Sequence, residues 1–169
     1  MKTNVRILTS SDAKAYQALR LESLRDSPTS FGMSEDDERT FSMEQVEQRL
    51  GADPPVIPTF GAFVEGELVG MCSIQRSLRA KTRHKAMIWG MYVAPKARGL
   101  GISKALMTKI LEFARTIPDL EELQLAVTVG NEAARNAYLS MEFEPYCVEP
   151  RYLKLDGVYY DIEWMRLRL

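Results

Sequence analysis

The spacing of hydrophobic residues changes along the chain and predicts a succession of strands and helices. Val5–Leu8 is a short apolar run with the character of a strand, and the apolar positions from Ala13 to Leu24 recur at helical spacing. A loop is expected to follow and to lead into a second short helix from about Met43 to Leu50. Segment 51–58 contains three prolines, so irregular backbone is predicted there.

From Thr59 onward the pattern becomes that of a β-sheet interrupted by two helices. Two strands are predicted across a turn at Glu65 to Glu67, and segment 86–94 (AMIWGMYVA) is apolar enough for a strand buried on both faces. The next helix carries one apolar stripe, formed by Ile102, Leu106, Ile110, Phe113 and Ile117. The remaining elements are a strand at 122–129, a helix at 131–141 and two final strands joined by Asp156-Gly157.

Composition limits the function classes. The chain has 169 residues, 46% of them hydrophobic, which suits a single domain spanning residues 1–169. A net charge of -1 provides no general attraction for nucleic acid or an anionic membrane, so neither partner is expected. Two cysteines and one histidine leave no metal-ligand pattern and no histidine triad, so no metal is expected. Without a signal-like or membrane-spanning stretch, a cytoplasmic location is predicted.

Two glycines lie between the predicted strand at 86–94 and the helix that follows. One interpretation of Arg98–Lys104 is a tight corner for which glycine is needed. A dinucleotide-binding turn is a second, but Lys104 occupies its third glycine position and five residues separate the strand from the glycines. The third is a phosphate cradle, because unpaired amides at the start of a helix bind anions and glycines let the backbone approach closely. Arg98 and Lys104 would then add positive charge.

At these residues the sequence resembles the GNAT N-acetyltransferase superfamily. The acetyl-CoA motif of that family corresponds to Arg98-Gly99-Leu100-Gly101-Ile102-Ser103, which follows MYVAP and precedes KAL, with Ser103 in the last small position. A later family signature corresponds to Asn131, Ala134, Ala137, Tyr138 and Phe143. Glu142 replaces the usual glycine there, and glycine would favour a left-handed residue at the helix end. The resemblance covers Thr59 to Phe143.

The resemblance implies a fold, a co-substrate and a set of binding residues. The implied fold is a mixed α/β (α+β) architecture with a mostly antiparallel sheet of about six to seven strands flanked by about four helices. Acetyl-CoA would insert between two diverging strands, and amides near Met91, Tyr92 and Val93 would polarise the thioester oxygen. Its other implied contacts are Arg98, Gly99, Leu100, Gly101, Ile102, Ser103, Lys104 and Asn131.

Tyr138 is the candidate general acid for the departing thiolate, a role that the resemblance implies. Periodicity alone equally suits a tyrosine that packs in the core, because Ala134, Ala137 and Met141 share its helical face. Asn131 is also a favoured helix N-cap residue, and the capping and binding roles are compatible.

The general base is left open. A water chain is one option, and the acidic candidates and the one histidine are Glu22, Glu35, Asp36, Glu38, Glu65, Glu67 and His84. We expect these side chains to be solvated, with the acidic group 34–38 forming an exposed helix start.

The predicted function is transfer of an acetyl group from acetyl-CoA to a primary amine, with a small molecule as acceptor. Two alternatives stay open: a protein or peptide N-acetyltransferase, and a catalytically idle acyl-CoA-binding module. The final strands could also form a homodimer interface.

Overall fold

A seven-stranded sheet forms the centre of the fold. The computed structural model describes residues 3–52 and 57–169, so residues 53–56 of the proline-rich segment lie outside the described residues. The strand order is β1-β2-β3-β4-β5-β7-β6. Within the described residues, β4 and β5 are the one parallel pair and the other neighbours are antiparallel. The strands are β1 (Thr3–Ile7), β2 (Thr59–Val64), β3 (Glu67–Arg76), β4 (Lys85–Val93), β5 (Glu122–Thr128), β6 (Glu144–Leu155) and β7 (Val158–Arg168).

The described residues also form five α-helices, one more than the sequence predicts. They are α1 (Ala13–Asp26), α2 (Glu35–Arg39), α3 (Met43–Gly51), α4 (Ile102–Ala114) and α5 (Glu132–Leu139). The additional helix is α2: the hydrophobic pattern predicts a loop there, although the acidic group 34–38 was expected to form a helix start. Ser34 starts it with a capping box, because its hydroxyl accepts a hydrogen bond from the Asp37 amide at 3.1 Å and the Asp37 side chain accepts one from the Ser34 amide.

Helices cover both faces of the sheet. On one face, α4 buries Ile102, Leu106, Met107 and Ile110 in a cluster that also contains Tyr138 of α5. On the other face, Tyr16 and Leu19 of α1 and Val46 and Leu50 of α3 pack in a second cluster with residues of β3 and β4. The apolar stripe predicted for the helix after the glycines is thus confirmed: its first three members are buried, and Phe113 and Ile117 pack against the same cluster while partly buried.

The last two strands form the predicted hairpin. Asp156 and Gly157 both have positive φ, at 49° and 81°, and join β6 to β7 as the Asp-Gly signal predicts. β6 is the outer strand, and its residues 144–152 are exposed. No helix in the described ranges is long and apolar enough to cross a membrane.

Candidate active site

The two parallel strands separate soon after they pair. The hydrogen-bonded ladder between the two strands pairs Lys85–Met87 of β4 with Glu122–Gln124 of β5 and stops beyond these residues. A cleft of about 930 Å³ opens there, lined by the ends of both strands, the start of α4 and one face of α5. Because a broken ladder leaves backbone groups unpaired, this cleft offers main-chain donors and acceptors to a ligand.

A bulge in β4 lies at the point of separation. Ser73 of β3 is paired with Trp89 and Met71 with Tyr92, so β4 contains one extra residue there. Gly90 lies in this stretch with φ of +68°, a conformation that glycine adopts without strain. The bulge reverses the direction of the side chains that follow it.

This reversal corrects the prediction of a strand buried on both faces. Before the bulge, Ala86 and Ile88 pack in the α4 cluster; after it, Met91 and Val93 pack against that cluster and Tyr92 belongs to the α1 cluster. Met91 and Val93 are only partly buried, because they line the cleft where a neighbouring strand would otherwise cover them.

Backbone direction at the end of β4 follows from its pairing with β3. The Ala94 amide donates to the Val69 carbonyl at 2.8 Å. Backbone groups alternate sides in an antiparallel pair, so the amides of Met91 and Val93 point away from β3, toward the gap left by β5. The Tyr92 amide points toward β3 instead. Two of the three predicted amides therefore face the cleft.

The glycine turn forms an open start to α4. Gly99 and Gly101 have φ of +77° and +75°, and a Cβ added to either would meet no atom within 4 Å. Gly101 is the N-cap without a side-chain cap, and the first helical bond runs from the Ala105 amide to the Gly101 carbonyl at 3.0 Å. The amides of residues 102–104 therefore have no partner within the helix. This arrangement suits a phosphate, which needs several converging donors and free space.

The side chains around this turn differ in their placement. Ser103 lines the cleft beside the two glycines and Ile102, whereas Leu100 and Lys104 are exposed and lie outside the cleft lining. Arg98 lines the cleft, but its guanidinium is engaged by the protein. Its Nε donates to the Val93 carbonyl at 3.1 Å, and one Nη pairs with Asp26 at the end of α1.

Asn131 and Tyr138 line the cleft from α5, the first as its N-cap residue and the second within the helix. The Asn131 side chain caps α5 by accepting a hydrogen bond from the Ala134 amide at 3.2 Å, as its residue type predicts. Tyr138 is 9% exposed, lines the cleft and stacks obliquely with Phe143, with ring centroids 6.1 Å apart. No described residue forms a hydrogen bond with its hydroxyl. Burial raises the pKa of Tyr138 above its ordinary value, so the phenol is protonated at neutral pH.

Glu142 follows α5 with φ of +68°, the left-handed conformation that glycine would favour. The helix end keeps its conformation despite the substitution.

None of the candidate bases lines the cleft. Within the described ranges its lining contains no Asp, Glu or His side chain. Glu22 accepts a hydrogen bond from the Tyr92 hydroxyl at 3.0 Å, and Tyr92 itself lines the cleft, so Glu22 is one residue removed from it. Burial, followed by this bond, raises the pKa of Tyr92.

Glu38 corrects the expectation of solvated carboxylates. It is 1% exposed, and its two oxygens contact Arg20 Nε at 3.4 Å and Arg49 Nη2 at 3.3 Å. A buried carboxylate requires such partners, because an unpaired charge is costly to desolvate. The rest of the acidic group matches the predicted helix start, with Asp36 and Asp37 exposed in the first turn of α2.

Sequence reasoning did not identify a second group of residues that line the cleft. They come from α1, the segment after it, β4 and the final hairpin, and are Arg20, Ser27, Ser30, Phe31, Met33, Trp89, Tyr152, Leu153 and Trp164. The segment after α1 is tied to β5, because the Thr128 hydroxyl donates to the Thr29 carbonyl at 2.6 Å. A glycine inside an apolar strand is a signal that could have revealed the bulge at Gly90.

Solved structures with the same fold are numerous and distant in sequence. An acetyltransferase of the GNAT family from Streptococcus pneumoniae has a TM-score of 0.87 at 21% identity, covering 99% of this chain and 100% of that chain. YncA from Salmonella typhimurium, solved with its cofactor acetyl-CoA, has a TM-score of 0.86 at 17% identity, covering 100% and 95%. Ribosomal-protein-alanine N-acetyltransferase from Brucella melitensis has a TM-score of 0.82 at 24% identity, covering 98% and 99%.

The family itself is identified from sequence. A comparison with curated proteins finds no match. The model of the acetyltransferase (GNAT) family, however, matches residues 17–143. This match decides against the dinucleotide interpretation of the glycine turn, as does the mostly antiparallel sheet, since that motif belongs to doubly wound parallel sheets. The chain belongs to the GNAT family of acetyltransferases.

Proposed function

We propose that the protein transfers an acetyl group from acetyl-CoA to a primary amine of a small molecule, by direct attack of the amine. The observation that carries this proposal is the cleft between β4 and β5, which combines the open start of α4, two free strand amides and the Tyr138 hydroxyl. The acetyl-CoA bound by YncA supports the choice of co-substrate. Acetyl-CoA supplies an activated acyl group, so the protein need only bind, orient and stabilise charge.

The residues of the glycine turn fit the diphosphate of coenzyme A. Gly99 and Gly101 leave room for the phosphates, and the amides of residues 102–104 supply donors at the positive end of the helix dipole. Ser103 adds a hydroxyl on the same side. Lys104, which forms no ion pair within the described chain, adds charge at the rim.

The end of β4 stabilises the thioester oxygen. The Met91 and Val93 amides face the gap, and a donor held in place gains strength as negative charge develops on the oxygen that it contacts. The extended backbone here also suits an amide-bearing arm, which would continue the interrupted ladder.

Tyr138 donates a hydrogen bond to the departing sulfur. Its pKa is raised by burial, whereas a thiol has an ordinary pKa of about 8.5, so full proton transfer to the thiolate is uphill. The phenol therefore acts mainly by hydrogen bonding, and we expect a modest contribution to turnover.

Water accepts the proton of the attacking amine. The described cleft lining offers no carboxylate or imidazole for this step. The acceptor must then enter as the neutral amine or lose its proton to solvent within the cleft.

The walls of the cleft favour a small acceptor. The segment 30–33 and the hairpin residues Tyr152, Leu153 and Trp164 line the cleft. The whole cleft measures about 930 Å³, and it must hold the arm of acetyl-CoA as well as the acceptor, so less than this volume is left for the acceptor.

Acetylation of a panel of amines tests the proposal. Amino acids, polyamines, aminoglycosides and peptides are incubated with acetyl-CoA, thiol release is followed, and the product mass is measured. We expect a mass increase of one acetyl group on a small amine. Acetylation of peptides alone would favour the peptide alternative, and tight coenzyme A binding without any product would favour an idle binding module.

Three further expectations stay predictions: a single domain over residues 1–169, a cytoplasmic location and a homodimer. The exposed outer strand β6, residues 144–152, supports an interface there. Sedimentation of the purified protein would test the oligomeric state.

A further inference from the structure

A buried cationic cluster reaches the wall of the cleft. Arg20, Glu38 and Arg49 form it, with Glu38 between the two guanidinium groups, so two positive charges face one negative charge. Arg20 is 5% exposed and lines the cleft, whereas Arg49 does not line it. A net positive charge therefore lies buried beside the cleft that the acceptor would enter.

Arg20 also has an unused donor. Its Nε contacts Glu38, while its buried Nη1 has no hydrogen-bond partner within the described residues. A buried guanidinium nitrogen without a partner loses hydration and gains nothing in return, so such a group is rare unless a ligand completes it. The Phe31 ring, 5.0 Å from the Arg20 guanidinium carbon, holds the side chain in place.

A second unpaired donor lines the same cleft. Trp89 Nε1 is buried and has no partner in the described chain. Both unused groups in the described cleft lining are donors, and that lining supplies no carboxylate that could use them. A ligand group that only accepts hydrogen bonds matches this set, and an ionised carboxylate is such a group.

We propose that the acceptor is a small amine that bears a carboxylate, and that Arg20 binds this carboxylate. The remaining walls, Phe31, Met33, Tyr152 and Trp164, suit an apolar or aromatic body, so an amino acid with an apolar side chain is the class that fits. This substrate class rests on the proposed function, because it assumes that the cleft accepts an amine. Arg20 is a specificity-determining residue and takes no part in proton transfer.

Matched pairs of acceptors test this assignment. The value of kcat/KM is measured for leucine and phenylalanine and for their carboxamides, in wild type and in Arg20→Gln. The acid-to-amide ratio is the kcat/KM for an amino acid divided by the kcat/KM for its carboxamide. Differences in amine basicity cancel when this ratio is compared between variants. We expect this ratio to fall by at least about tenfold in Arg20→Gln, the effect of one charge-assisted hydrogen bond.

Arg49→Gln is the matched control, because Arg49 shares Glu38 but lies outside the cleft lining. Its acid-to-amide ratio is expected to equal that of wild type. If Arg20→Gln does not fold, Arg20→Lys replaces it: the single ammonium can face Glu38, but it lacks the second nitrogen, so the ratio should still fall.

Calorimetry separates this proposal from the proposed function. Leucine and leucinamide are titrated into the protein saturated with coenzyme A, a measurement that needs no turnover. Tighter binding of leucine in wild type and loss of that preference in the Arg20 variant would support the carboxylate site even if no amine were acetylated. Equal binding of the two ligands by wild type, or an unchanged ratio in the variant, would overturn it and leave Arg20 a structural partner of Glu38.

Discussion

Gly101→Val is expected to weaken coenzyme A binding by a route that the structure defines. Gly101 has φ of +75°, and an added Cβ meets no atom within 4 Å, so the substitution creates no clash. Its cost is backbone strain, about 1–2 kcal/mol for an L-residue in the left-handed region. The chain can relieve that strain by turning the peptide units at the start of α4, which moves the amides away from the phosphate position.

The expected loss of affinity follows from the bonds at risk. A hydrogen bond to a charged group contributes about 1.5–3 kcal/mol. Loss of one such bond raises the dissociation constant about tenfold to a hundredfold. Isothermal titration with coenzyme A measures this change, and urea unfolding measures the strain on the same samples.

Gly66→Val is the matched control. Gly66 lies in the turn between β2 and β3 with φ of +85°, has equally open space for a Cβ and lies outside the cleft. We expect a similar loss of stability and no change in coenzyme A affinity. Unchanged affinity in folded Gly101→Val, or an equal loss in Gly66→Val, would refute the phosphate role of the turn.

Three further predictions use other parts of the structure. Tyr138→Phe should lower kcat by up to about a hundredfold and leave acetyl-CoA affinity unchanged, and a change within twofold by steady-state kinetics would make Tyr138 a packing residue. In calorimetry, Lys104→Ala should lower the affinity for coenzyme A but not for pantetheine, and the difference should shrink as the salt concentration rises. Arg98→Ala loses its contacts with Asp26 and Val93 and should lower the affinity for both ligands alike. Arg6 lowers the pKa of Asp12 to about 2, so this ion pair stabilises the fold above about pH 4 and the stabilisation disappears as the pH falls through 2. Asp12→Asn should therefore lower the free energy of unfolding in urea by about 1 kcal/mol at neutral pH and leave it unchanged at the lowest pH. A difference that does not depend on pH would contradict this.

Features with a local cause were predictable from the sequence. The Asp156-Gly157 turn, the apolar stripe of α4 and the Asn131 cap each depend on residues a few positions apart, and all three are found as predicted. The glycine turn also has a local cause, since only glycine adopts positive φ at two such positions without strain. The fold was predicted because these local features occur in the order typical of the family.

Features that depend on distant residues were not predictable. Glu38 was expected to be solvated, because nothing near it in sequence reveals that Arg20 and Arg49 meet it in the interior. Arg20 lies among leucines on an amphipathic helix, where a charged residue normally faces solvent. Its burial results from packing against α2 and Phe31, which sequence periodicity does not report.

The hydrophobic pattern did not reveal the helix α2, for a different reason. Its five residues carry four acidic side chains in the first turn and too few apolar positions to show a helical period. The signal that was available is the serine followed three positions later by an acidic residue, Ser34 and Asp37, which is a capping pattern.

A crystal structure with bound acetyl-CoA would test the central claim most directly, because that claim places the co-substrate between β4 and β5. We predict that the diphosphate lies within about 2.7–3.2 Å of amides from residues 99–104. The thioester oxygen should face the amides of Met91 and Val93, with the Tyr138 hydroxyl on the side of the sulfur. A co-substrate bound elsewhere, or a diphosphate held by side chains alone with the start of α4 unoccupied, would contradict the account.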